Sequence, residues 1–422
     1  MAPIPFSHAT RPFAVLAVLV VLSGGASFGC QRTTPDAGAY DAADVGVDAE
    51  DSSLSQDIEP EVTAGAQPLF VTDGEALRPA LEGDLLAFLS IDEGGTSCLS
   101  VPWREDCVTR IRLVDLSDQA PVFWSDDIYG TSVPGLTDGV LYWAGPDNRL
   151  RYHHVGGVGV VHPLEDDPDY YGIQGSFVVQ DGGIHWYAYD YTAASTAFQR
   201  YDLTTGEVTL LLPTQHDRPY FVDDLGAPSA PQFDISDRRL VWLQYMEYGS
   251  TWHYRIVQAT IGEDATAPEA LPTGDVNCLW PRIRGSWVYY IWYLQEHWEC
   301  SQYTCIFHLS RVHLETGEVE ELTDEAARIT GLSPPLLWDG GAGWLDFRDG
   351  TYRVVLKPEG EKPVAATPVE RPVGLFTGVS LVPRDDGVLQ ILWSTLHEGR
   401  LQVFSMDWTG EGEKLGRAPG LE

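Results

Sequence analysis

From residue 67 onward the chain is a succession of short apolar runs, each bounded by Gly, Asp or Pro. Such runs predict β-strands, and outside residues 13–22 none of useful length has a helical period. The runs recur as larger units. A Gly/Asp turn opens an apolar, often tryptophan-bearing strand at GDLLAFL (83–89), DGVLYWA (138–144), GGIHWYA (182–188), DRRLVWL (237–243), GSWVYYIW (285–292), GGAGWLDF (340–347) and DGVLQILW (386–393). Counted from Gly83, Asp138, Gly182, Asp237, Gly285, Gly340 and Asp386, the spacings are 55, 44, 55, 48, 55 and 46 residues. A second strand follows each one, as in RIRLVDL (110–116), FQRYDLTTGEVTLLL (198–212), LSRVHLETGEVEELT (309–323) and LQVFSMDWTGEGE (401–413). At Thr205-Gly206-Glu207 and Thr316-Gly317-Glu318 the glycine supplies the positive φ of a tight hairpin. Many units are preceded by a short stretch with proline (Pro79, Pro134, Pro231, Pro281, Pro334, Pro335), which has no ladder N–H and suits strand starts and edges.

Four antiparallel strands in each 40–50-residue unit predict an all-β fold, a β-propeller of four-stranded antiparallel blades. Seven blades are counted, with six or eight as alternatives. The last unit ends weakly at GEKLGRAPGLE (412–422), and PLFVT (68–72) has no partner of its own. This stretch is expected to close the ring as the outer strand of the last blade, because open sheet edges invite unwanted pairing.

The N-terminus carries a different pattern. Residues 13–22 (FAVLAVLVVL) are unbroken apolar, preceded by Arg11 and followed by SGGASFG (23–29). The run is too short to span a bilayer and fits the apolar core of a signal peptide. With Gly29 before Cys30, it resembles a bacterial lipoprotein signal. That resemblance implies removal of residues 1–29 and acylation of Cys30, and Gln31 implies the outer membrane. Ser27 and Phe28 depart from the lipoprotein pattern, and ordinary cleavage after Ala26 is the alternative. Residues 31–66 are rich in Asp, Ala, Gly and Ser, so they read as a disordered acidic linker. The expected organisation is therefore a signal peptide (1–29), an acylated Cys and linker (30–66) and a propeller domain (67–422).

Charge narrows the partners. The chain has 62 Asp+Glu against 26 Lys+Arg, a net charge of −36 over 422 residues. That field repels duplex nucleic acid and anionic lipid surfaces, so no nucleic-acid partner is expected and membrane attachment is expected through the lipid anchor only. A soluble monomer needs nothing beyond this self-repulsion, and a monomer is expected.

The clearest stretches, WLDFRDGTYRVVL (344–356), YDLTTGEVTLL (201–211) and VHLETGEVEELT (312–323), resemble TolB-like and related cell-surface β-propeller repeats. The strict SPDG opening of TolB repeats is missing, and residues 31–66 are too short and too polar for the extra N-terminal domain of TolB. The resemblance implies the fold and an envelope location, and no activity.

Six cysteines stand at 30, 98, 107, 278, 300 and 305. Cys98 with Cys107, and Cys300 with Cys305, are close pairs in matching connections of the first and fifth units, and an exported chain permits disulfides. Two local disulfides are expected; Cys278 is left over, unless it pairs with a fifth-unit cysteine. Zinc is the other reading, but no C-x-x-C occurs, and no metal site or cofactor is expected.

Strand aromatics such as WVYYIWY (287–293) are expected to fill the space between blades. Trp103, Trp298 and Tyr303, on connections, are the candidates for a ligand surface. The histidines, His308 among them, lack metal spacing and read as strand or loop residues. There is no G-x-S-x-G elbow, P-loop or dinucleotide fingerprint. The expected function is a non-enzymatic, lipid-anchored envelope protein presenting one face to a protein or glycan partner. The alternative is a propeller enzyme of the lyase or glycosidase type, with carboxylates, His or Tyr converging at the mouth of the central channel.

Overall fold

A computed structural model describes the strands and turns between Gln67 and Lys414. Outside the described residues lie 1–66 and 415–422, together with 94–107, 126–133, 145–149, 156–161, 164–169, 172–176, 191–194, 215–232, 249–250, 263–264, 295–306, 324–328, 330–333, 349–350, 370–377, 385, 398–399 and 411–412. The described residues form an all-β propeller of seven blades, each built on four antiparallel strands.

From inner to outer strand, blade 1 is Glu75–Glu82, Leu85–Glu93, Val108–Asp115 and Ala120–Trp124. Blade 2 is Gly135–Thr137, Val140–Ala144, Leu150–His154 and His162–Pro163. Blade 3 is Phe177–Gln180, Gly183–Asp190, Ser195–Asp202 and Val208–Thr214, with Tyr170–Tyr171 pairing beside the second strand as a fifth piece. Blade 4 is Phe233–Ser236, Arg239–Tyr248, Thr251–Thr260 and Glu269–Ala270. Blade 5 is Asn277–Arg284, Trp287–Tyr293, His308–His313 and Val319–Glu321. Blade 6 is Leu336–Trp338, Gly341–Arg348, Thr351–Pro358 and Val364–Val369. Blade 7 is Val379–Pro383, Leu389–His397 and Arg400–Trp408, and its outer strand is Gln67–Phe70 from the other end of the domain. The expected closure by the N-terminal stretch is therefore present.

The turn grammar is borne out at the backbone. Asp138-Gly139 and Asp181-Gly182 both have positive φ at each position, the mirror-image turn that matches strand twist. In blade 4 the same turn is made by Asp237 (φ 47°) and Arg238 (φ 65°), where no glycine relieves the left-handed conformation. In the T-G-E turn of blade 3, Asp202 Oδ1 accepts from the amides of Thr204 and Thr205, both at 2.9 Å. With the Thr205 amide foremost, these bonds and Arg200 hold the carboxyl down to about 2. Blade 5 puts His313 in the same role, its Nδ1 accepting from Glu315 and Thr316.

The core is a ring of aromatics. The fourth residue of the second strand is Phe88, Trp143, Trp186, Trp242, Tyr290 and Trp344 in blades 1 to 6, and blade 7 places Trp393 one position later. All seven are buried. Each sheet is covered on both faces by its neighbours, so the strand aromatics fill inter-blade space as expected.

Two inner strands deviate in the same way. Arg78 (φ 53°) and Trp280 (φ 54°) are left-handed non-glycine residues just before Pro79 and Pro281, each at a bulge. A residue before proline prefers an extended backbone, so each position stores on the order of 1–3 kcal/mol.

Burial also sets one acid-sensitive point. His185, in the second strand of blade 3, is buried, and desolvation, with Arg200 second, holds its imidazole down to about 4. The unfolded chain takes up this proton near 6.5, so between 6.5 and about 4 the unfolded state binds more protons and stability falls as pH falls. The loss amounts to about 3 kcal/mol across that window. Urea midpoints measured above and below it should converge in His185→Leu; an unchanged slope would assign the acid sensitivity elsewhere.

The disulfide expectation is corrected. The structure holds no Sγ–Sγ pair at bonding distance, no disulfide joins described residues, and Cys278 is a free, buried thiol. Cys98, Cys107, Cys300 and Cys305 lie outside the described residues. The ladders give the physical reason. Beyond the last pair, Glu93↔Val108, Cys107 comes one residue later and Cys98 five; beyond Trp292↔His308, Cys305 stands three away and Cys300 eight. Closeness in sequence does not put such residues in cross-strand register, and a disulfide needs Cα atoms within about 7 Å.

Candidate functional site

The two ends of the ring differ in their connections. One end carries the inner-to-second and third-to-outer turns. The other carries the second-to-third connections and the crossovers between blades. On this second end the connections run to 14 residues at 94–107, 18 at 215–232 and 14 at 294–307. At the turn end most inner-to-second turns have two residues, and neighbouring blades are stapled there. Glu82 accepts from the amides of Asp138 (2.5 Å) and Gly139 (2.9 Å), and Arg284 pairs with Asp339. Long connections on rigid strands are where binding groups concentrate, so the connection end is the candidate face.

On that face, blade 5 brings chemistry together. Cys278, Trp292 and His308 are directly paired across three strands and so share one side of the sheet. The Trp292 indole stacks on the His308 imidazole, with centroids 4.3 Å apart and planes at 14°. Trp292 Nε1 donates to Ser310 Oγ at 2.8 Å. His308 Nδ1 lies 2.8 Å from Glu321 Oε1. The two side chains are 16% and 46% exposed, so solvent reaches the pair. A carboxylate on Nδ1 fixes the tautomer and leaves Nε2 as the proton-accepting nitrogen. Cys278 is no nucleophile: burial pushes its thiol up to about 12. On the opposite side of the sheet Tyr293 meets Phe307 edge-on at 5.4 Å, and Leu294 is exposed at the root of the 14-residue connection.

Blade 1 carries a second polar group on the same face. Asp92 accepts from Ser90 Oγ (2.6 Å), Arg112 Nη2 (2.5 Å) and Arg110 Nη1 (3.2 Å). Arg112 also reaches Thr72 and lies 4.1 Å over the exposed Trp124 ring. Its guanidinium ties the N-terminal segment to blade 1, which is a structural use.

The channel wall offers less. Three residues before their turns, blades 4 and 5 place Asp234 and Arg282, both half-buried, where the neighbouring blades have Val178 and Leu336. Asp234 accepts from the amides of Ile235 (3.0 Å) and Ile283 (2.9 Å). Desolvation raises the Asp234 carboxyl and lowers the Arg282 guanidinium, while each opposes that shift in the other. The Ile283 amide bond to Asp234 crosses the seam between blades 4 and 5. Among the described residues, no group of three or more His, Cys, Asp or Glu is placed to hold a metal ion.

The candidates expected from sequence, Trp103, Trp298 and Tyr303, lie outside the described residues, as does Cys30. The His308–Glu321 pair was missed. Its signal is the T-G-E turn at 316–318, which fixes Val312↔Val319 and Ser310↔Glu321 and so sets Glu321 diagonally from His308. No helix among the described residues is long and apolar enough to cross a membrane.

No protein-family model and no curated protein sequence matches the chain. Solved structures do. An oligogalacturonate lyase in complex with manganese matches with a TM-score of 0.57 and 15% identity, over 83% of this chain and 95% of that one. The propeller domain of the trilobed protease of Pyrococcus furiosus, described as having an open velcro topology, matches with a TM-score of 0.53 and 11% identity, over 82% and 99%. A protein from Agrobacterium tumefaciens, assigned provisionally as TolB, gives 0.37 and 13%, over 81% and 93%. At these identities the likeness concerns the fold alone.

Proposed function

We propose that this propeller acts on a glycan at its connection face, beside the seam of blades 4 and 5, as an enzyme of the lyase or glycosidase type. The observation that carries the reading is the His308–Glu321 pair held against Trp292 at the root of the 294–307 connection. Glu321 orients the imidazole, His308 takes or returns a proton, and the half-buried Trp292 offers apolar surface to the C–H face of a sugar ring. Trp298 and Tyr303 belong to that same connection in sequence. The site lies outward from the channel wall, where Asp234 is already engaged by the Ile283 amide across the seam of blades 4 and 5. An oligogalacturonate lyase on the same architecture supports the reading as a precedent for glycan chemistry on such a ring.

The test incubates the full chain with neutral and acidic oligosaccharides. Eliminative cleavage gives an unsaturated sugar that absorbs in the ultraviolet; hydrolysis gives new reducing ends without that absorbance. His308→Ala should lower turnover by about 10²- to 10⁴-fold. Turnover unchanged in that variant, or no turnover on any sugar, would overturn the enzymatic reading. A second reading, binding of a protein or glycan partner without turnover, is favoured by exposed Leu294 and Trp124 on the same face. Calorimetric binding without product identifies it.

The proposal extends to address. The chain is exported by residues 1–29, acylated at Cys30, and tethered to the outer membrane by 30–66, with the TolB-like body at 67–422. Two acyl signals hold a protein on a bilayer firmly, each buried CH₂ contributing about 0.8 kcal/mol. Cys30→Ser should move the protein from the membrane pellet to the soluble fraction; a protein that stays in the pellet would refute acylation.

A further inference from the structure

Each blade ends in an outer strand, whose far side offers backbone groups to any extended chain unless something blunts it. Among the described residues, six of the seven are blunted. Blades 2 and 4 keep theirs to two residues, His162–Pro163 and Glu269–Ala270, and blade 5 keeps three, Val319–Glu321, two of them glutamates. Pro121 stands in the outer strand of blade 1 and Pro68 in that of blade 7. Blade 6 carries Pro368 and is partly covered by Glu413–Lys414. Blade 3 differs. Its outer strand, Val208–Thr214 (VTLLLPT), runs for seven residues without a charge, and its proline comes next to last. No strand among the described residues pairs with its far side.

The outward backbone groups and the exposed apolar side chains belong to the same residues. The Asp202 amide donates to the Glu207 carbonyl at 3.0 Å, which makes Asp202 and Glu207 a hydrogen-bonded pair. Such pairs alternate along an antiparallel ladder, so Val208 and Leu210 turn their N–H and C=O groups away from Ser195–Asp202. Their side chains are 49% and 55% exposed. They pair with Tyr201 and Gln199, on the side of the sheet where the Tyr201 hydroxyl meets that of Tyr152 in blade 2. Charge selects the occupant. Glu207 and Asp181 are exposed at the turn end of this edge, and Asp202 neutralises Arg200 at 2.7 Å. A second copy would bring a net charge of −36 against its own like. We infer that Val208–Thr214 receives an extended segment of a partner protein by β-strand addition. The segment is apolar at alternate positions, to meet Val208 and Leu210, and carries Lys or Arg where it passes Glu207. This surface is on a different blade from the His308–Glu321 pair and does not depend on it.

Fluorescence anisotropy with labelled peptides and the full chain tests this. The probe is a short peptide of alternating valine and threonine with lysines at both ends, and it should bind with a Kd on the order of 10–100 μM. A glutamate-ended counterpart should bind at least about tenfold more weakly at low salt. Methylating alternate backbone nitrogens of the lysine-ended peptide keeps its charge and removes its ladder bonds, and should also weaken binding at least about tenfold. Leu210→Asp should have an effect of about that size, and Val208→Asp repeats it at the other outward residue. Val122→Asp, the same change on the exposed outer strand of blade 1, should leave binding within about twofold. The inference is overturned by a lysine-ended peptide that does not bind at millimolar concentration, by equal binding of the methylated peptide, or by equal binding to the Leu210→Asp chain. Sedimentation of the chain alone covers the remaining case: a dimer that Leu210→Asp dissolves would give the edge to a second copy and overturn the partner inferred here.

Discussion

Gln402→Leu should lower the stability of the ring by about 3 kcal/mol, with little change in the overall volume of the side chain. Gln402 is buried in the third strand of blade 7, and both ends of its amide are used. Oε1 accepts from the Thr72 amide at 2.7 Å, and Nε2 donates to the carbonyls of Thr72 (3.2 Å) and Gly74 (3.1 Å). These three bonds hold the segment that passes from the outer strand of blade 7 to the inner strand of blade 1. Glu75, at the end of that segment, accepts from the Leu401 amide, so the clasp is pinned at both ends. Leucine strips three half-buried backbone groups of their partner, and each group left unsatisfied costs about 1–3 kcal/mol. Urea midpoints report the loss. Arg400→Ala, which removes an exposed guanidinium from the Asp73 carbonyl, is the control and should cost under about 1 kcal/mol. Equal losses in the two variants would show that the clasp does not depend on the buried amide.

Trp344→Ala should cost more, about 3–5 kcal/mol. Trp344 lies in the large cluster that joins blades 4, 5 and 6 and is buried to 2% exposure. Alanine leaves a void between two sheets whose backbones are fixed by their own ladders, so the walls relax only in part. Trp124→Ala offers the contrast within the same chain. Its ring is 48% exposed and carries the Arg112 guanidinium on one face, a contact that contributes about 1 kcal/mol. If denaturation gave the two tryptophans similar losses, the aromatic ring would be decoration and not the inter-blade core.

How much of this was legible follows from which interactions are local. The D-G and T-G-E turns could be read because left-handed φ restricts residue choice within two or three positions. The recurrence of an aromatic at the fourth residue of the second strand followed from those turns, since they fix where each strand starts. Even the closing role of 67–70 could be read, from an unpartnered strand at one end and a weak end at the other. The bulges at Arg78 and Trp280 were not legible. Proline marked the place, but nothing in the local sequence says that the residue before it will turn left-handed. The disulfide expectation failed for a related reason: nearness along the chain was taken for nearness across a ladder, and register decides the latter.

The His308–Glu321 pair and the Gln402 clasp belong to a third class. His308 and Glu321 are 13 residues apart and meet only because one turn sets the register of two strands. Gln402 meets Thr72 across 330 residues, once seven blades have completed the circle. By itself the sequence determined the strands, the turns and the strand that closes the ring, and pointed to seven blades with six or eight left open, because these rest on backbone preferences and period-two burial that act over a few residues. The tertiary structure alone decided which side chains face one another across seams, since blade-to-blade contacts depend on register and on the rotation accumulated around the axis.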